Sequence, residues 1–185
     1  MVTNMKTLNT SRFRSVFRAV AFNVIWLLTI QLAAYGQAIW ATLPGLVYGI
    51  ILLSQHNKSM RKYLIQWACL GLALGIISES IIIYNEVLGS VNHSNIGHPL
   101  WLLSLWIALF MLLPLELDKI LNSPILAVSF GMIGGPFSYL SGAKLGAMKL
   151  IGSEIELICY TSILWGISMY TASFYWQRKK TVFLS

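Results

Sequence analysis

Charged residues are scarce in this 185-residue chain, at 10% of it against 57% hydrophobic ones. That mix lies far outside the usual one for a soluble fold and points to a polytopic membrane protein of a single domain. Acidic residues are scarcer still, six against thirteen basic ones for a net charge of +7. The basic residues stand in short clusters between apolar runs rather than in one soluble patch. Nucleic acid is therefore not an expected partner, and the clusters orient the chain in a bilayer instead. Only two cysteines occur. Cys69 and Cys159 lie near the starts of spans that enter from opposite sides, so they sit at different depths and are expected to be apolar fillers rather than a disulfide. The chain has no glycine-rich phosphate loop, paired-cysteine metal site or nucleophile elbow, which leaves no cofactor and no metal to assign. His93 and His98 share a polar loop with Asn92 and Asn95, but with no carboxylate or cysteine beside them they make a poor metal site. Asn92-His93-Ser94 matches a glycosylation sequon, which matters only in a eukaryotic secretory setting.

What the sequence does have is long apolar runs. Residues 1–10 are polar and read as poorly ordered. From Ser11, Phe13, Val16, Phe17 and Val20 recur at helical spacing with Arg12, Arg14 and Arg18 between them. Residues 1–18 thus read as a basic amphipathic segment lying on the membrane surface. A signal peptide ending near Ala33-Ala34 is disfavoured because the apolar run continues past the usual length. Between Ala19 and Ser54 no residue is charged, a helical length of about 54 Å against a hydrocarbon core of about 30 Å. Two spans are needed, and Tyr35-Gly36-Gln37 is the turn between them. The membrane domain, 19–177, then holds six spans at about 19–35, 38–54, 64–84, 99–115, 124–143 and 154–176, followed by a basic tail, 178–185. Ser123-Pro124 is an N-cap followed by proline at the first helical position, and Ser153 with Glu156 is a capping box.

Six spans put both termini on one side. If that side is the cytoplasm, Lys6, Arg12, Arg14, Arg18, Lys58, Arg61, Lys62, Lys119, Arg178, Lys179 and Lys180 lie inside, and only Lys144 and Lys149 lie outside. The apolar runs and the positive-inside rule then predict an all-α, six-helix, multi-pass membrane bundle with cytoplasmic termini.

Two features could carry function. The first is the stretch from Gly131 to Gly146 in the fifth span. Pro136 removes an N–H and releases the carbonyl of Met132, and Gly134 and Gly135 ease a bend, so the fifth helix is expected to be broken at Gly134-Gly135-Pro136. Gly134, Ser138, Gly142 and Gly146, at steps of four, offer a close-packing face. The second is Glu79, an acidic residue inside the third span, where burial against protein is the rule. It continues the stripe Gly71–Gly75. Glu79 lies fifteen residues into its helix and Tyr139 fifteen into the fifth, a level shared with Gln31, Thr42, Ser104 and Thr161 or Ser162. Lys144, about 7 Å further out, is long enough to reach back. The candidate polar site is Glu79, Ser138, Tyr139 and Lys144.

The residues Gly134-Gly135-Pro136-Phe137-Ser138-Tyr139-Leu140-Ser141-Gly142-Ala143-Lys144-Leu145-Gly146-Ala147 resemble the G-G-P-x-x-Y-x-x-G-A-[RK]-x-G-A signature of a bacterial inner-membrane family catalogued as domain of unknown function 2878. Pro99-Leu100-Trp101 with Leu105-Trp106 and Phe110, and Gly75 to Glu79-Ser80, are similar to its other segments. The likeness covers roughly 22–150. Glu79 stands where aspartate is more usual and Lys144 where arginine is common. The resemblance implies no established activity.

Three functions fit these residues. The favoured one is a small inner-membrane accessory that binds a lipid or a partner membrane protein within the lipid bilayer. A carrier of a small solute or protons would use Glu79 and the broken helix. An intramembrane lipid-modifying enzyme would use Glu79 as general base with Tyr139 or Lys144 stabilising charge.

Overall fold

Glycine and capping residues set the corners of the chain in the computed structural model, which describes residues 2–89 and 99–184, with side chains for 15–89 and 99–180. The first helix, α1 (Val2–Ala34), ends in a Schellman turn: Gln37 N–H reaches Leu32 O at 2.9 Å and Gly36 N–H reaches Ala33 O at 3.0 Å. Gly36 sits at φ 76°, which a glycine adopts without a Cβ clash. Helix α2 (Ala38–Ser54) follows, then α3 (Lys58–Tyr84), capped by Asn57 accepting from Met60 N–H at 2.9 Å. A two-residue strand β1 (Leu88–Gly89) precedes α4 (Leu100–Glu116), the single turn α5 (Asp118–Leu121) and α6 (Pro124–Lys144). Strand β2 (Lys149–Leu150) leads into α7 (Glu154–Leu184). Here the capping box forms as the sequence predicts, with Glu156 N–H on Ser153 Oγ at 3.2 Å and Ser153 N–H on Glu156 Oε2 at 2.7 Å.

Helix α4 is the axis of the assembly. Every residue from Trp101 to Trp106 is buried, and α1, α2 and α3 pack around it. Helices α6 and α7 form a second, closely packed pair that meets the first group mainly through α3 and α5. At one end, β1 and β2 pair antiparallel, Leu88 opposite Leu150, and strap the α3–α4 connection to the α6–α7 connection. At the other end, Arg18 and Glu116 form an ion pair that joins α1 to α4, Ser15 Oγ donates to the same carboxylate, and Tyr48 Oη donates to Arg18 O at 2.9 Å.

Four helical segments among the described residues are long and apolar enough to cross a membrane: Ser15–Ala34, Lys58–Tyr84, Pro124–Lys144 and Glu154–Lys180. Helices α2 and α4 are apolar but shorter, at 17 residues each.

Several expectations are corrected. Residues 2–10, expected to be poorly ordered, are helical: α1 is one helix from Val2 that continues without a break into the apolar segment Ser15–Ala34. Helix α3 starts at Lys58, before the expected 64. Pro114, expected to close its span, lies inside α4. Helix α7 runs on to Leu184, past the expected 176. The expected break at Gly134-Gly135-Pro136 is absent, since α6 is helical throughout. The Met132 carbonyl that Pro136 cannot serve accepts instead from Ser162 Oγ of α7 at 3.0 Å, so the lost bond is replaced across the helix pair. The close-packing face is also displaced from the one the spacing picked out. A Cβ on Gly134 would meet nothing within 4 Å, whereas one on Gly135 would come within 2.5 Å of Trp165 Cγ, and Gly131 lies against the same tryptophan's backbone.

Replacing Ser162 with alanine orphans the Met132 carbonyl and should cost about 1 kcal/mol. In a Pro136→Ala background the new amide serves that carbonyl, so the same Ser162→Ala change should cost markedly less. Thermal unfolding of the four proteins in detergent checks this, and equal costs in both backgrounds would contradict it.

Candidate functional site

The site grows from a notch on α3. A Cβ on Gly75 would lie 2.7 Å from Trp106 Cγ, and one on Gly71 would lie 2.6 Å from Phe110 Cβ and 2.8 Å from the Trp106 carbonyl. Only glycine lets α4 come so close, and the Trp106 ring lies in the notch. One helical turn beyond Gly75 on the same face stands Glu79, 2% exposed. Trp106 Nε1–H therefore reaches Glu79 Oε1, at 3.1 Å. Tyr139 of α6, 1% exposed, donates its hydroxyl to the same oxygen. One carboxyl oxygen thus gathers donors from α4 and α6 while rooted on α3, which satisfies two polar groups that would each be costly to bury alone.

The second half of the site is aromatic. Trp165 of α7, seated on Gly131 and Gly135 of α6, stacks on Trp106 with ring centroids 4.3 Å apart and planes at 27°. Its edge relation to Tyr139 is T-shaped, at 6.5 Å. Beside this stack lies a partly enclosed cavity of about 60 Å³. Phe22 and Trp26 of α1 form one wall and Trp101 and Leu105 of α4 another. Ser138, Tyr139 and Trp165 close the side of the second helix pair.

The structure brings together two of the predicted residues, Glu79 and Tyr139, in direct contact. Ser138 lies half-buried on the cavity wall. Lys144 is not part of the site: it is exposed and faces Glu154, Nζ to Oε1 3.8 Å, a solvated pair of the kind that contributes about 0–1 kcal/mol. Gly135 and Pro136 are buried, Gly135 against Trp165, and Gly134 is only partly buried. The other residues expected at that level do not join the site. Ser104 and Thr161 bond carbonyls of their own helix, at 2.7 and 2.6 Å, Thr42 does likewise at 3.1 Å, and Gln31 is exposed. Trp106 and Trp165 were missed as site residues. Tryptophan at helical spacing reads as core from sequence, and only the notch at Gly75 on the facing helix shows where the ring goes. The Arg18–Glu116 pair was missed too, although a lone glutamate ending an apolar run is its signal. His93, His98 and the sequon fall within 90–98, outside the described residues. Among the described residues, no group of three or more His, Cys, Asp or Glu side chains could hold a metal, and Cys69 and Cys159 are free and exposed.

Fold and site together define an all-α bundle with four helices able to cross a membrane and a buried glutamate, held by two donors, at the junction of its two helix groups. A family model described as Protein of unknown function (DUF2878) matches residues 15–171, and the chain belongs to that family. No curated protein and no solved structure matches it.

If the shared oxygen joins the helix groups, Glu79→Leu, which strands two donors, should destabilise the fold by about 2–4 kcal/mol. Glu79→Gln keeps a carbonyl acceptor and should cost less than half as much. Thermal unfolding in detergent measures both, and equal losses would show that the acceptor does not matter.

Proposed function

We propose that the chain is a six-span protein of the bacterial inner membrane, with both termini cytoplasmic, that acts as an accessory binding membrane lipid by an acyl chain in the crevice between α1, α4 and the α6–α7 pair. The topology rests on the eleven-to-two split of basic residues and on helix length. At 17 residues, α2 and α4 are about 26 Å long, the lower limit for a span. Apolar side chains on α6 point away from the bundle, Ile133 being 73% and Phe137 69% exposed, as a hydrocarbon surrounding favours. The observation that carries the binding reading is the crevice itself, whose wall is almost wholly aromatic and aliphatic and lies between helices at the level of Glu79. A second reading, proton or small-solute carriage, draws on the burial of Glu79 and its link through Tyr139 to the cavity wall. A Glu79→Gln protein of normal abundance that loses its function in cells would favour that second reading.

Reporter fusions test the topology. Periplasmic reporters after Gly89 and Gly152 should be active and those after Lys58, Asn122 and Ser185 inactive; activity at Ser185 would overturn six spans. A phospholipid with a diazirine in its acyl chain tests the binding. Photolysis should label the segments around Phe22 and Leu105, and Ser138→Leu, which fills the crevice, should remove most of that label. Labelling confined to the outward face of α6, unchanged by Ser138→Leu, would sink the crevice reading.

A further inference from the structure

We propose that Lys62 of α3 and Lys179 of α7, with the amide of Gln66 one turn further into the membrane, bind the phosphate of an anionic phospholipid. This rests on the membrane placement proposed above and not on the crevice. The site follows from how α3 and α7 meet. The β1–β2 strap ties the end of α3 to the start of α7, so the two helices run antiparallel. Towards their other ends Tyr175 fixes the register: its hydroxyl donates to Gln66 Oε1 at 2.9 Å, and its ring meets that of Trp67 edge-on, centroids 5.3 Å apart. One turn beyond this contact, four residues back on α3 and four further along α7, stand Lys62 and Lys179. The register thus brings two lysines to one seam. Both are exposed, and neither joins an ion pair among the described residues.

No carboxylate among the described residues offsets this pair. Glu116 is taken by Arg18, and Asp118 stands on α5, which packs on the neighbouring face of α7 through Leu121 and Asn122. The flanking bases are held elsewhere: Lys180 donates to Asn122 Oδ1 at 3.2 Å, and Arg178 lies over the Phe174 ring at 4.2 Å. Gln66 adds a neutral donor, since Tyr175 engages its Oε1 and leaves its Nε2–H groups to serve a ligand. Like charges side by side at the edge of a low-dielectric region repel, and an anion between them removes that cost. The surface just inside the bases is apolar. Phe174, Tyr170 and Ile167 follow Arg178 down α7 at helical spacing, and all three are exposed. An anion that carries acyl chains meets both halves of this surface, its phosphate at the lysines and its chains along the stripe, whereas a soluble phosphate meets only one.

The test is equilibrium binding of radiolabelled dioleoylphosphatidylglycerol to the purified full-length protein, in detergent micelles containing excess dioleoylphosphatidylcholine to fill sites blind to the headgroup, the crevice among them. Saturable binding is expected, displaced by unlabelled phosphatidylglycerol but not by glycerol 3-phosphate. Lys62→Gln and Lys179→Gln should each weaken it about fivefold and the double variant about twentyfold. Arginine at either position should retain it, and Lys119→Gln, on α5, should change it by less than about twofold. Because both lysines are exposed, the glutamine variants should melt as the unmodified protein does. No saturable binding over phosphatidylcholine, or unchanged binding by the double variant, would overturn the site. An equal loss from Lys119→Gln would overturn it by revealing a diffuse basic field, and displacement by glycerol 3-phosphate by showing that a soluble phosphate suffices. Should the double variant not fold, the two single variants decide, and unchanged binding by both counts against the proposal. The crevice reading is judged separately, by its own photolabel.

Discussion

Two donors, one on α4 and one on α6, converge on a single carboxyl oxygen of α3, and the joining of the two helix groups depends on that convergence. Helices α6 and α7 pack intimately with each other but touch α4 only sparsely. Besides α5 and the β1–β2 strap, what brings them in is the Glu79–Tyr139 bond, the Trp106–Trp165 stack beside it, and the contact of Trp67 and Gln66 with Tyr175 further along. Because the contact is sparse, space remains next to it, and the crevice is the part of that junction left unfilled. The glycines at 71 and 75 matter for the same reason. They set the depth of the Trp106 ring, and hence whether its N–H reaches Glu79.

The fold was legible in the sequence wherever a local rule decides the backbone. Gly36 in its turn, Ser123 before Pro124 and the Ser153–Glu156 box each specify a corner from a few adjacent residues. It was less legible where a distant residue intervenes. Pro136 predicts a broken helix only if nothing else serves the carbonyl of Met132, and Ser162, twenty-six residues further on, does so. The β1–β2 strap escaped for a like reason, since a two-residue pairing between distant connections has no periodicity to read.

Of the site, Glu79 and Tyr139 were found by comparing depth along helices, which fixes axial level well. Depth says nothing about the direction around the helix, so Ser104 and Thr161, at the right level, turned out to bond their own backbones. Lys144 was assigned on reach, but it is the last residue of α6 and turns to Glu154 instead. The glycine face failed on angle as well. Steps of four advance about 40° beyond a full turn, so a stripe from Gly134 to Gly146 winds around α6, and the partner helix docks on Gly131 and Gly135 instead.

The placement of α6–α7 by Glu79 is therefore the central claim, and the chain carries its own probes for it. Cys69 on α3 and Cys159 on α7 are both exposed and free. With nitroxides on these two native cysteines, pulsed electron double resonance measures the separation of the helix groups directly. A single narrow distance distribution is expected for the unmodified sequence, and a broadened or lengthened one for Tyr139→Phe. An identical narrow distribution in both proteins would contradict the claim, leaving the hairpin to be positioned by other contacts.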